Sequence, residues 1–267
     1  MHKIKSFSLI IPAYNEEQRL PKTLKRVIEW SKKINFNLEI LIMDDGSTDK
    51  TVTIVKNFIK GEPGIKLIQS KKNLGKMAQV LKGFQIARKD IVGVMDADLA
   101  ADPDEFFKLF KKLAKADIVM GSRYLRDNLQ PITGKSLFAR TLSKGFTFIF
   151  RFFFKIPLFD PQIGFKVYKR NIFKNLLPLI KRTDGLADTE IIVKAFGLGL
   201  RITEVPINYH HVSAHSKINR VTAVPSVILA LVDIWHHTYG LFLERKLTYQ
   251  PSKGELLLKF LYSIRQG

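Results

Sequence analysis

Two aspartates separated by one residue, Asp96-Ala97-Asp98, terminate the run Ile91-Val92-Gly93-Val94-Met95. The run is apolar and β-branched and reads as a buried strand. Its last side chains are then carboxylates at the strand's carboxyl end, where open α/β sheets take their ligands. Paired carboxylates there suit a divalent cation, and a divalent cation suits a diphosphate. Alone, the tripeptide would equally mark a turn. Three more polar clusters also follow apolar runs. Pro12-Ala13-Tyr14-Asn15-Glu16 follows residues 7–11, Asp44-Asp45-Gly46-Ser47 follows residues 38–43, and Asn73-Leu74-Gly75-Lys76 follows residues 65–69.

The elements that must hold these clusters alternate. Helical spacing of Leu20, Leu24, Val27 and Ile28 predicts a helix over 16–32. Further helices are expected through Val52, Val55 and Phe58, over 77–87 and over 106–114, with a fifth short strand at 118–120. Strand and helix in this order imply a mostly parallel, Rossmann-like sheet with helices on both faces.

The whole chain sets outer bounds. Its 267 residues are 46% hydrophobic, enough for one large α/β domain or one with a smaller appendage. Zero cysteines exclude disulfides, thiolate catalysis and cysteine zinc sites. Lys and Arg number 44 against 24 Asp and Glu, a net +20, which calls for an anionic partner: nucleic acid, an acidic membrane surface or a phosphorylated substrate. No nucleic-acid-binding pattern is visible, so no nucleic-acid partner is expected. Residues 1–5 carry no signal-peptide pattern.

Beyond residue 130 the pattern changes. Arg140, Lys144, Thr147, Arg151 and Lys155 form one polar stripe on a helix over 136–156. Phe146, Ile149, Phe150, Phe152, Phe153 and Phe154 cover the rest. A wide aromatic face beside a basic stripe is expected to lie in a membrane interface, with a core helix as the alternative. In a second segment, 221–243, Val224, Ile228, Leu231 and Trp235 face away from Ser226, Asp233 and His237. It reads as an interfacial amphipathic helix before a packed or spanning one, because buried charge is costly in hydrocarbon. Residues 255–264 offer a further short amphipathic helix.

Taken together, the order and spacing of the four clusters resemble the nucleotide-sugar domain of the family 2 inverting glycosyltransferases, which have the GT-A fold, over residues 7–220. Gly121-Ser122-Arg123-Tyr124, Asp160-Pro161-Gln162-Ile163-Gly164-Phe165-Lys166 and His215-Ser216-Lys217-Ile218 are similar to the polyprenyl-phosphate hexosyltransferase branch, which includes dolichyl-phosphate mannose synthase and dolichyl-phosphate β-glucosyltransferase. The resemblance implies three parts: a nucleotide-sugar-binding half at 1–130, an acceptor half with an interface helix at 131–220, and C-terminal amphipathic membrane-associating helices at 221–267.

The resemblance also implies roles. Asp45 or Asp44 would read the base, framed by Pro12, Tyr14 and Glu16. Gly75 would admit the nucleotide backbone and Lys76 would place a cation near it. Asp98, with Asp96 and the intervening Ala97, would hold Mg²⁺ or Mn²⁺ against the diphosphate. Ala100 stands where a polar metal partner is common, leaving Asp102 or water as third ligand. Arg123, Lys217 and Arg140, with Ser216 beside them, would hold phosphate groups together. Asp188 would sit near the sugar or acceptor, and Gln162 in the sugar-facing loop.

The implied reaction is transfer of a hexose, with inversion, from UDP-glucose before GDP-mannose onto a polyisoprenyl (dolichyl) phosphate at the cytoplasmic face of a membrane. The alternatives are a soluble saccharide or protein acceptor, a nucleotide-sugar binder without turnover, and a basic nucleic-acid-binding protein.

Overall fold

The computed structural model describes residues 4–62, 64–125, 137–210 and 224–248, with side chains in the two outermost helices described for 145–154 and 226–239. Four strands, β1 (Ser6–Ala13), β2 (Asn37–Asp44), β3 (Ile65–Gln69) and β4 (Ile91–Val94), run parallel to one another. Three crossover helices, α1 (Leu20–Ser31), α2 (Thr51–Ile59) and α3 (Lys76–Ile86), join them. Next come α4 (Phe106–Lys112), β5 (Ile118–Ser122), α5 (Leu137–Phe154), β6 (Lys166–Lys169), the single turn α6 (Phe173–Leu176), α7 (Ala187–Gly197), β7 (Ile202–Pro206) and α8 (Val224–Thr248).

All seven strands form one sheet in the order β3-β2-β1-β4-β6-β5-β7. β6 is antiparallel to both β4 and β5, while β5 and β7 pair in parallel. The sheet is therefore mostly parallel, with one antiparallel strand wedged between its halves. That wedge joins the two halves read from the sequence, because β6 comes from the second and sits between two strands of the first.

Register fixes where the chemistry falls. Ala13 pairs with Asp44 and Asp44 with Gln69, while Ile10 pairs with Val94. The carboxyl ends of β1 to β4 thus open on one edge, as the alternation of strands and crossover helices requires.

β1 lies inside the sheet and is buried at every residue after Ser6. Phe7 is the hub of an aromatic cluster, with ring centroids 6.1 Å from Trp30, 6.2 Å from Phe36, 5.2 Å from Phe106 and 5.0 Å from Phe110. Edge-to-face geometry of this kind adds to burial itself. On the opposite face, Phe84 packs on Tyr168 and stacks on Phe173 at 4.4 Å, seating α3 against β6 and α6.

The two apolar helices differ from the expectation. Phe150 and Phe154 of α5 are fully buried, so the aromatic band read as a membrane face divides. Half of it packs into the body, and Phe148 (71% exposed) and Phe152 (63% exposed) point outward beside exposed Arg151 and Lys155. On α8 the expected apolar face divides too. Leu231 is buried with Ala230 and Ile234, whereas Ile228 and Trp235 are exposed with Leu229 and Val232. A helix apolar on nearly all sides offers no single stripe, so contact with α5 and α7 selects which residues turn inward. No helix among the described residues is long and apolar enough to cross a membrane.

Phe7→Ala empties the centre of the aromatic cluster. It is expected to lower unfolding stability by about 3–5 kcal/mol in chemical denaturation. A loss under about 1 kcal/mol would place the core elsewhere.

Candidate active site

Three carboxylates converge at the open sheet edge. The β1–α1 loop supplies Glu16, and the loop after β4 supplies Asp96 and Asp98. Asn15 turns this corner in the left-handed region at φ 53°, and its side chain accepts the Thr48 N–H at 2.8 Å. The Glu16 N–H donates to the Thr51 hydroxyl at 2.8 Å. The loops after β1 and β2 are thereby stitched together. The carbonyl of Ala97 accepts the Thr23 hydroxyl at 2.6 Å, which fixes the backbone between the two aspartates to α1.

Proton affinity is raised at Asp98 and at Glu16. Burial first, then Asp96, pushes the Asp98 carboxyl above its ordinary range, although the Ala100 N–H donates to it at 3.0 Å. Burial also raises Glu16, against a bidentate pair with Arg19 in which both nitrogen–oxygen distances are 2.6 Å. Lys76, the first residue of α3, answers the cluster with its ammonium 2.5 Å from Asp96 Oδ1. Burial alone would lower Lys76; the Asp96 charge outweighs it and holds the pKa up at about 12.

Gly75 caps α3 at φ +93°, a conformation that disfavours side chains, and so turns Lys76 into the site. Gly164 serves differently. A Cβ there would fall 2.6 Å from Asp96 Oδ2, so only glycine leaves the aspartate its position.

Asp44 and Asp45 have separate tasks. The Asp45 carboxylate accepts the N–H groups of Leu74 and Gly75, each at 2.8 Å, and the Gln79 amide at 2.7 Å. It is a brace for the β3–α3 loop. Among the described residues Asp44 accepts a long 3.3 Å contact from the Ser47 N–H, and its buried Oδ1 has no partner. Of the pair, Asp44 holds an acceptor in reserve. Pro12 lies beside it in register with Met43, and Tyr14 is 43% exposed at the mouth.

Arg123 closes the other side. Its Nε and Nη2 form a fork on Asp160 at 2.7 and 2.6 Å, and its backbone N–H donates to the same carboxylate at 3.1 Å. The guanidinium lies 5.1 Å from the ring of Tyr209 and 5.6 Å from that of Tyr124. Burial opposes its charge, and Asp160 more than restores it. Tyr209 connects the two sides: its phenol feels Asp96, Asp98, Lys76 and Arg123 together. Burial, then Asp96, raises its pKa to about 12, so it remains a hydrogen-bond donor.

A cavity of about 550 Å³ lies next to Lys76, between the β3–α3 loop and the segment leading into α7, lined by Gly75, Gln162, Thr183, Gly185 and Asp188. Gln162 is exposed to it and donates a long 3.5 Å bond to the Gly185 carbonyl. Asp188 forms an ion pair at 2.7 Å with Lys166, a lysine only 1% exposed.

Several expectations are refined. Asp102 is no metal ligand, because Arg26 grips both its oxygens at 2.8 and 2.6 Å. Arg123 is not an unattached cation but half of a buried pair. Arg140 lies on α5, with its side chain outside the described residues, as are Ser216 and Lys217 entirely. Arg19, Asp160 and Tyr209 belong to the site without having been singled out. Asp160 was legible as part of its motif, whereas Tyr209 reaches the site through an isolated bridge to Ala101 that no spacing announces.

Asp96 and Asp98 supply hard oxygen donors, and although Glu16 is near enough to feel their charge, no third carboxylate or histidine stands at metal-ligand spacing with them among the described residues. A divalent cation there would complete its shell from a diphosphate and water, a donor set that fits Mg²⁺ or Mn²⁺.

The family model for glycosyl transferase family 2 matches residues 8–177. A dolichyl-phosphate beta-glucosyltransferase of Trichomonas vaginalis is 32% identical over 216 residues, covering 77% of this chain and 66% of its own. One of Dictyostelium discoideum is 32% identical over 214 residues, covering 76% and 65%. The chain thus spans about two thirds of the length of these relatives. Among solved structures, glucosyl-3-phosphoglycerate synthase from Mycobacterium tuberculosis, in complex with Mn²⁺, UDP-glucose and phosphoglyceric acid, superposes with a TM-score of 0.61 at 16% identity, covering 85% of this chain and 79% of that one. Mannosyl-3-phosphoglycerate synthase from Rubrobacter xylanophilus gives 0.63 at 15%, covering 94% and 78%. Both share the fold.

Gly164→Ala should displace Asp96 with little cost to folding, since only the end of one side chain must move. Mn²⁺ affinity, measured by calorimetry with UDP present, is expected to fall by about 10-fold or more. Unchanged affinity would remove Asp96 from the cation site.

Proposed function

The chain belongs to glycosyl transferase family 2, and from that premise we propose that it transfers a hexose, glucose before mannose, from a nucleoside diphosphate to a polyisoprenyl phosphate. The carrying observation is the convergence of Asp96, Asp98 and Lys76 on one side of Tyr209, with Arg123 on the other. The names of the relatives support the acceptor class and favour glucose.

In this reading Asp44 accepts the imide N–H of uracil with its unpartnered Oδ1, between Pro12 and Tyr14. Asp98 and Asp96 would hold the divalent cation, which would offset charge on the leaving diphosphate. Lys76, paired with Asp96, would place its ammonium beside a phosphate oxygen. Gln162 and Asp188 face the sugar in the adjoining cavity.

The acceptor phosphate needs no strong base, because its second pKa is about 6 and it is mostly dianionic at neutral pH. What it needs is cations. Arg123 offers the Nη1 edge that Asp160 leaves open, and Tyr209 donates beside it. Lys217, Ser216 and Arg140 belong to the same proposal on the sequence alone. Attack on the anomeric carbon opposite the leaving group inverts configuration and yields a β-linked product. Bringing two phosphates together in a preorganised cationic frame is the source of rate.

The acceptor's tail places the enzyme at a bilayer. Exposed Phe148, Phe152, Leu229, Val232 and Trp235, flanked by Arg151 and Lys155, supply apolar area and positive charge for peripheral association. We assign this to the cytoplasmic face, and the segments 1–130, 131–220 and 221–267 to donor binding, acceptor binding and membrane contact.

A donor panel tests the proposal. UDP-glucose, GDP-mannose, UDP-N-acetylglucosamine and UDP-galactose are incubated with short-chain polyprenyl phosphate and Mn²⁺ or Mg²⁺. UDP-glucose should give the most lipid-extractable, acid-labile product, and Asp98→Asn should reduce turnover by about 100-fold or more. Because burial and Asp96 raise the Asp98 carboxyl, the Mn²⁺ concentration for half-activity should climb on acidification earlier than for an ordinary aspartate. Sugar appearing only on water-soluble acceptors would overturn the lipid-phosphate assignment.

A further inference from the structure

Glu204 lies on β7, outside every motif, and makes contacts that neither substrate binding nor the core requires. Its Oε2 accepts the Phe159 N–H at 2.8 Å and its Oε1 accepts the Asp160 N–H at 2.7 Å. Both donors belong to the short loop between α5 and β6. That loop has no regular secondary structure to satisfy these two N–H groups. Asp160, held from behind by Glu204, presents its carboxylate forward to Arg123 through three hydrogen bonds. The far face of the guanidinium rests on Tyr209, five residues beyond Glu204 in the same segment. One stretch of chain therefore grips both ends of the arginine's support.

We propose that Glu204 is a positioning residue for the transfer reaction, which holds Arg123 in its working orientation through the Asp160 backbone. This rests on the reading of the site as phosphate-to-sugar transfer, in which Arg123 faces a phosphate. Two N–H donors converge on one side chain, and only an ionised carboxylate offers each an acceptor without presenting a donor of its own. A protonated Glu204 carries an O–H of its own and is a poorer acceptor, which weakens its hold on the loop.

The groups around Glu204 make this transition accessible. Burial raises its carboxyl and the charge of Asp160 adds to that; the two N–H donors and Arg151 of α5 oppose, leaving a pKa of about 6 against an ordinary 4.5. The sign follows. Between those values the folded protein binds the extra proton, so this group's contribution to global stability declines as pH rises. The fold thus prefers Glu204 neutral, while the loop geometry requires it charged. Ordered arginine is obtained above the transition and loosened below it, without unfolding.

The test follows the guanidinium directly. In ¹⁵N-labelled protein, the Arg123 Nε–Hε resonance is identified by its disappearance in Arg123→Lys. In the wild type it should be sharp at pH 7.5 and fade on acidification with a midpoint near pH 6, and Glu204→Gln should show it weakened at every pH with that inflection gone. Glu204→Gln should also lower kcat by about 10-fold at pH 7.5, with KM for the sugar nucleotide within about twofold, as expected for misplacement of one group. A resonance as sharp in Glu204→Gln as in the wild type, with the same pH dependence, would overturn the proposal. If the variant does not fold, the wild-type titration decides alone: no change in the resonance between pH 7.5 and 5.5 refutes the coupling. A wild type that shows the resonance behaviour but transfers no hexose to lipid phosphate would leave the positioning role standing and sink the transfer reading.

Discussion

Three like-charged carboxylates held at one sheet edge are the constraint on which the rest of this molecule depends. Glu16, Asp96 and Asp98 arrive there because parallel strands joined by right-handed crossovers end on the same side. Their mutual repulsion would drive the loops apart if the surroundings did not answer it. Arg19 and Lys76 answer it locally, while burial first, and the neighbouring carboxylates after it, raise the proton affinity of Asp98 and Glu16. A site in this condition is prepared for a cation. The field that disfavours the empty carboxylates is the field that favours a divalent ion beside a diphosphate.

The second half of the site obeys a complementary rule. Arg123 is buried, and a buried guanidinium without a partner is prohibitively costly. Asp160 neutralises it on one edge, and the rings of Tyr209 and Tyr124 lie 5.1 and 5.6 Å from it. Lys166 and Asp188 repeat the arrangement beneath the cavity, and Glu190 with Lys194 repeats it again under the loop at 180–182, where Glu190 accepts the N–H groups of Lys181 and Arg182. Buried pairs of this kind contribute modestly to net stability. Their use here is geometric: each fixes a polar side chain that loop backbone alone would leave loose.

The contrast between the halves explains what the sequence disclosed. The first four strands are largely apolar runs followed by polar loops, and their boundaries follow from that pattern to within one or two residues, β1 continuing through Pro12 where the sequence suggested a stop. Residues of the candidate site follow where those runs stop, so Asp96, Asp98 and Lys76 were legible. β6 was not. Its four residues, Lys166-Val-Tyr-Lys169, begin and end in lysine, and Lys166 is inside only because Asp188 meets it from α7. β7, with Glu204 at its centre, carries charge where a buried strand is expected to be apolar. Both elements exist through pairing with strands distant in sequence, which no local window contains. Tyr209 and Glu204 were invisible for the same reason. The split faces of α5 and α8 follow likewise, since helices rich in Phe, Leu and Ile on most sides carry no record of which side meets the protein.

The antiparallel insertion of β6 is the step that unites these observations. A fully parallel continuation from β4 would need another crossover helix, and its strand end would deliver one more polar loop to the same crowded edge. Reversing the strand brings its amino end to that edge instead, and with it the turn Asp160–Phe165. That turn carries the Arg123 partner, Gln162 at the wall of the cavity and the glycine against which Asp96 rests. One reversal thus brings Asp160 against Arg123, which itself follows the carboxyl end of β5, and sets Gly164 against Asp96 at the same edge.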